Sequence, residues 1–137
     1  LNTPSNEACK LYDAALRQYV GWYDDKLAFN GLGSTLDQML NADNEFVLGH
    51  CLKYGIEMIG NSMCLSSDVY KHNVESLVQL AKLKRSNLTD LELMHINGIR
   101  NLIDGEVVKA TDCWERILVD YPNDMMAARF AHDTYFY

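Results

Sequence analysis

Proline is scarce in this chain. Two occur, Pro4 and Pro122, one near each end. Little between them interrupts a helix by removing its backbone N–H groups. Long apolar runs are missing as well: the unbroken stretches are a few residues long, against the roughly 20 that a spanning helix needs, which excludes one. Basic charge is short, with 12 Lys+Arg against 19 Asp+Glu and a formal charge of −7. A general nucleic-acid binder needs a concentrated basic surface, so that class is excluded too. No charged-then-apolar leader follows Leu1, so no secretory signal is visible. The four cysteines, Cys9, Cys51, Cys64 and Cys113, form no C-x-x-C pair and read as reduced thiols, mostly buried.

What is present is the composition of a globular domain: 137 residues, 48% apolar and 23% charged. The apolar residues recur at three- and four-residue steps, the period of an α-helix packed on one face. Thr3-Pro4 reads as the cap and first turn of a helix whose inward face carries Ala8, Leu11, Tyr12, Ala15, Leu16 and Tyr19 and continues to Trp22 and Tyr23. Asp24-Asp25-Lys26 and the glycines Gly31 and Gly33 are expected to break it. A short second helix follows over 34–42, and a third carries Val47, Cys51, Tyr54, Gly55, Met58 and Ile59 to a stop at Gly60-Asn61-Ser62. Ser66-Ser67-Asp68 reads as a capping cluster for a fourth, whose last turn holds Lys82, Lys84 and Arg85 against the negative end of the helix dipole. Thr89 and Glu92 form a capping box that opens a fifth, closed by Asp104-Gly105. A sixth runs from about Val107 to Tyr121-Pro122, and a seventh starts at about Met125. No alternating run is long enough for a strand.

Leu91 to Asp124 spans 34 residues, the length of a tetratricopeptide repeat. With Pro122 placed on that repeat's terminal proline, Gly98 falls on the small residue of the first helix and Gly105 on the turn. Ala110 falls on the small residue of the second helix, and Trp114 on its large aromatic. Small residues let two helices approach, the aromatic fills the space toward the next repeat, and the proline ends the pair. Asn97 and Asn101 depart from the pattern, where Leu and Tyr are usual. The expected fold class is therefore all-α: a right-handed α-α superhelix of tetratricopeptide-like antiparallel pairs, about seven helices, with the last repeat incomplete. The whole chain reads as one helical-repeat domain. Its pairs fall at about 5–42, 44–85 and 89–121, with a lone helix at 125–137.

The wording of Thr3 to Leu16, Asp43 to His50, Lys109 to Leu118 and His132 to Tyr137 resembles the tetratricopeptide repeat protein 38 family, over nearly the whole chain. The resemblance implies an α-helical superhelix, a cytoplasmic location, no established reaction, and a place in the N-terminal part of a longer protein.

Candidate functional residues follow from the repeat register, because first helices of stacked pairs line a concave face. That face is expected to carry Glu92, His95, Ile99 and Leu102, joined from the seventh helix by Arg129, Asp133 and Phe136. Such a mix of apolar and charged groups could hold a protein or peptide partner, or the chain's own later repeats. His132-Asp133 invites a metal reading, but one dipeptide supplies two of the three or four ligands a site needs, and a histidine packed between repeats is the plainer account. No G-x-S-x-G, H-E-x-x-H or phosphate loop is present; Gly31-Leu32-Gly33-Ser34 lacks the following Lys and reads as a turn. No catalytic residue, metal or cofactor is expected, nor any nucleic-acid or membrane partner. The seventh segment, from Met125 and Met126 to Tyr135, Phe136 and Tyr137, reads as apolar nearly all round, which predicts that this chain self-associates or frays beyond Asp124. The function expected is a protein–protein interaction scaffold with no reaction of its own. The alternative is the structural N-terminal part of an enzyme whose catalytic residues lie beyond this segment.

Overall fold

The computed structural model describes residues 2–20, 26–60 and 67–134. Their regular structure is helical throughout: α1 (Asn6–Val20), α2 (Lys26–Ala42), α3 (Val47–Gly60), α4 (Asp68–Leu83), a 3-10 turn (Arg85–Asn87), α5 (Asp90–Ile103), α6 (Val107–Asp120) and α7 (Met125–Thr134). No strand occurs among the described residues, as the periodicity predicts. None of these helices is long and apolar enough to cross a membrane. The chain divides into two compact units, Leu1–His50 and Cys51–Tyr137.

In the first unit α1 packs closely against α2. Ala8, Tyr12, Ala15 and Tyr19 give α1 its buried stripe, and Leu32, Leu36 and Met39 that of α2. The cap of α1 is Ser5, not Thr3: the Ser5 hydroxyl accepts the Ala8 N–H at 3.1 Å. Thr3 donates its hydroxyl to the Asp43 carboxylate and accepts the Ser5 N–H at 3.2 Å. Both residue types cap well, and the Asp43 partner draws Thr3 into a tertiary contact. Gly31 and Gly33 do not break the chain. They lie inside α2, which begins at Lys26, and the Thr35 hydroxyl donates to the Gly31 carbonyl one turn back at 2.8 Å. Asp24, Asp25, Trp22 and Tyr23, read as the end of the first helix, lie outside the described residues. Behind α2, Phe46 is fully buried and its ring lies 5.5 Å from that of Tyr12.

In the second unit α5 packs against α6, α6 against α7, and α4 against α5. The capping box is formed: the Thr89 hydroxyl accepts the Glu92 N–H at 3.3 Å, and Glu92 accepts the Thr89 N–H at 3.0 Å. Ser67 stands at the cap position of α4, but its side chain makes no cap hydrogen bond; Ser66 is outside the described residues. Gly105 has φ +79, the left-handed conformation that closes a helix without a Cβ penalty. Around it the Glu106 N–H reaches the Asn101 carbonyl at 2.9 Å and the Gly105 N–H reaches Leu102 at 3.1 Å, a Schellman ending. The chain then reverses. Trp114 lies against Gly98, and Cys113 accepts from Asn101 at 3.5 Å, so α5 and α6 run antiparallel. The same holds for α6 and α7, where Trp114 meets Phe130 and Thr111 meets Thr134 at 2.8 Å.

Two rings form the centre of this unit, each seated against a glycine. Phe130 and Trp114 stand edge to face with centroids 5.2 Å apart. A Cβ on Gly55 of α3 would lie 2.3 Å from the Phe130 ring, and one on Gly98 would lie 2.8 Å from the Trp114 indole. Helices α3, α7, α6 and α5 thus meet through one stack: glycine, phenylalanine, tryptophan, glycine.

Candidate functional site

The face of α5 expected to line an open groove is closed. Glu92, His95, Ile99 and Leu102 share that face, as their spacing requires, but all four are buried. Phe130, on the helix expected to continue the groove, carries the backbone of α3 at Gly55 on its ring. Arg129 and Asp133 stand at the edge, with 19% and 21% of their side chains exposed, and pair with each other at 3.2 Å. Phe136 lies outside the described residues, as do Tyr135 and Tyr137. The described part of α7 is two-faced rather than apolar all round. Met126, Ala127, Phe130, Ala131 and Thr134 are buried, whereas Met125, Ala128 and His132 are exposed. His132 is therefore not a packed inter-repeat histidine.

The packed histidine is His95. Its side chain is 0% exposed, and its Nε2 lies 3.1 Å from Oδ2 of Asp124, itself 13% exposed. Asp124 is also the cap of α7: its Oδ1 accepts the Ala127 N–H at 2.8 Å. Burial pushes the Asp124 carboxyl up, but the hydrogen bond and charge of His95 and the N–H groups of Ala127 and Met126 outweigh it. The carboxyl is held below its ordinary value. One side chain thus ties α5 to the start of α7. His95 is fully enclosed and Asp124 nearly so, and the contact attaches one helix to the other. Burial, and secondarily the charge of Glu92, pushes the Cys51 thiol far up, which leaves an inert thiol. Cys9 and Cys113 are half-buried free thiols, and Cys64 lies outside the described residues. Among the described residues no three His, Cys, Asp or Glu side chains are placed to hold a metal ion.

An open groove lies on the opposite side of α5. It holds about 640 Å³ and runs between α5 and α6, lined by Asp90, Leu93, Met94 and Asn97 from one side and Cys113, Arg116, Asp120 and Tyr121 from the other. On α5 these positions form a second stripe at three- and four-residue steps, half a turn round from the buried one. Leu93 and Met94 are half-buried, Tyr121 is exposed, and Asp90, Arg116 and Asp120 are exposed charges. Among the described residues none of these three charges is in an ion pair. The groove has an apolar floor and a charged rim, and the helix that builds it is held rigid from behind. The 90, 93, 94, 97 spacing is the sequence signal for this face, weaker than the apolar stripe on the other. No protein-family model matches the chain, and no solved structure matches it.

Proposed function

We infer that this chain is a protein-interaction module of the tetratricopeptide type, from the N-terminal part of a protein of the tetratricopeptide repeat protein 38 family, with no reaction of its own. The α5–α6 hairpin supports the reading. Its glycine turn, its Gly98–Trp114 contact, its buried Ala110 and its Pro122 end stand in the repeat's register. The single observation that carries a binding role is the groove on that hairpin, where apolar side chains and unpaired charges stand open beside a rigid core. Fixed helical pairs present such surfaces to protein segments at low ordering cost.

The test is capture on the immobilised chain from extract, comparing the native sequence with Met94→Glu in the groove and Val108→Ser at an exposed site away from it. A scaffold retains a saturable set of proteins that Met94→Glu loses and Val108→Ser keeps. Retention that is indifferent to the groove, or no retention above bare matrix, contradicts the reading.

A further inference from the structure

Two features of the second unit are complementary, and the fold uses neither. The first is a socket, the α5–α6 groove, with half-buried Leu93 and Met94 at its floor and exposed Tyr121, Asp90 and Asp120 around them. Arg116 also lines it, so two carboxylates face one guanidinium and the rim is net acidic, in a chain whose formal charge is −7. The second is a knob. Helix α4 ends at Lys82-Leu83, with Lys84 as its cap and Arg85 opening the 3-10 turn, and Leu83 is 85% exposed, the most exposed of the large apolar side chains described. Lys82 and Arg85 beside it are exposed too. The helix dipole accounts for cations at this end; it does not account for a leucine held out among them.

We propose that the groove receives Leu83 of a second copy of this chain, with Lys82 and Arg85 set against Asp90 and Asp120. The proposal rests on reading the hairpin as an interaction module and names the partner it takes. A leucine flanked by cations matches an apolar floor between carboxylates in both size and sign. Leu83 does not occupy the groove of its own chain, since it is exposed. Knob and socket are separated by only the 3-10 turn and the cap of α5, so they sit at one end of the same helix pair. A two-fold axis between copies then lets each knob enter the other's socket, which closes the assembly at two. Each contact is small, and the second becomes intramolecular once the first has formed.

Sedimentation of the 137-residue chain over a range of concentrations tests this. A reversible monomer–dimer equilibrium is expected. Leu83→Glu and Met94→Glu should each raise the dissociation constant at least tenfold. An equimolar mixture of the two variants should recover a heterodimer, because one intact knob still meets one intact socket. Leu83 is exposed within its own chain, so its variant keeps the monomer's fold and remains informative even where Met94→Glu fails to fold. A chain that is monomeric throughout, or a dimer indifferent to Leu83→Glu, overturns the proposal. Capture repeated with Leu83→Glu, whose groove is intact, separates the two readings: foreign partners retained on a chain that sediments as a monomer at every concentration keep the interaction module standing while self-docking falls.

Discussion

At the scale of single residues, the stack of two rings between two glycines decides what the second unit tolerates. Alanine in place of glycine inside a helix ordinarily gains about 1 kcal/mol. At Gly55 the added carbon would stand 2.3 Å from the Phe130 ring, and at Gly98 2.8 Å from the indole of Trp114. A ring has no flexible end to swing aside, and overpacking of this kind costs about 1–3 kcal/mol on its own. Gly55→Ala and Gly98→Ala should therefore lower the melting temperature, Gly55→Ala by more. Gly33, inside α2 with nothing within 4 Å of its added carbon, is the contrast. Gly33→Ala should raise stability by roughly 0.5–1 kcal/mol, and denaturant midpoints for the three variants check the order. The Gly98–Trp114 half of the stack was legible, because the repeat register places both. The Gly55–Phe130 half was not, since no local spacing links residues on helices so far apart in the chain.

At the scale of elements, the joint between α5 and α7 depends on Asp124, which caps one helix and takes the imidazole of the other. Its folded carboxyl is held below the ordinary value, so its contribution is complete above the unfolded value of about 3.9 and is lost as pH falls through that value toward the folded one. Asp124→Asn keeps a capping oxygen and removes the titration. The fall in melting temperature below about pH 4 should become shallower, with a small loss at neutral pH. Asp124→Ala removes the cap and strands a fully buried imidazole, for about 2–4 kcal/mol, and thermal melts from pH 3 to 7 resolve both effects. Caps and turns were the legible part of this unit: Thr89, Glu92 and Gly105 act where their chemistry places them. In the first unit Gly31 and Gly33 misled, because an interior glycine costs only about 1 kcal/mol, and the packing of α2 against α1 outweighs two of them. The burial of the four α5 residues expected to line a groove was not legible for a different reason. Periodicity tells which side chains of α5 share a face, and Glu92, His95, Ile99 and Leu102 do. It carries no information about which face another helix will cover.

At the scale of the whole molecule, charge sets how two copies meet. Each carries −7, so at long range they repel, while the proposed contact joins cations to carboxylates at short range. These two effects respond differently to salt. The screening length is about 30 Å at 0.01 M, about 10 Å at 0.1 M and about 3 Å at 1 M. The first increment of salt removes repulsion between whole copies but leaves side chains in contact largely unscreened. Only the highest concentration reaches the contact itself. Dimerisation should therefore strengthen from 0.01 M to about 0.1 M salt and weaken again toward 1 M. Sedimentation equilibrium at the three concentrations reads this directly. A contact held by apolar burial alone would instead strengthen steadily with salt. The double variant Lys82→Gln, Arg85→Gln should convert the first pattern into the second, because it deletes the attractive charges and leaves Leu83 in place.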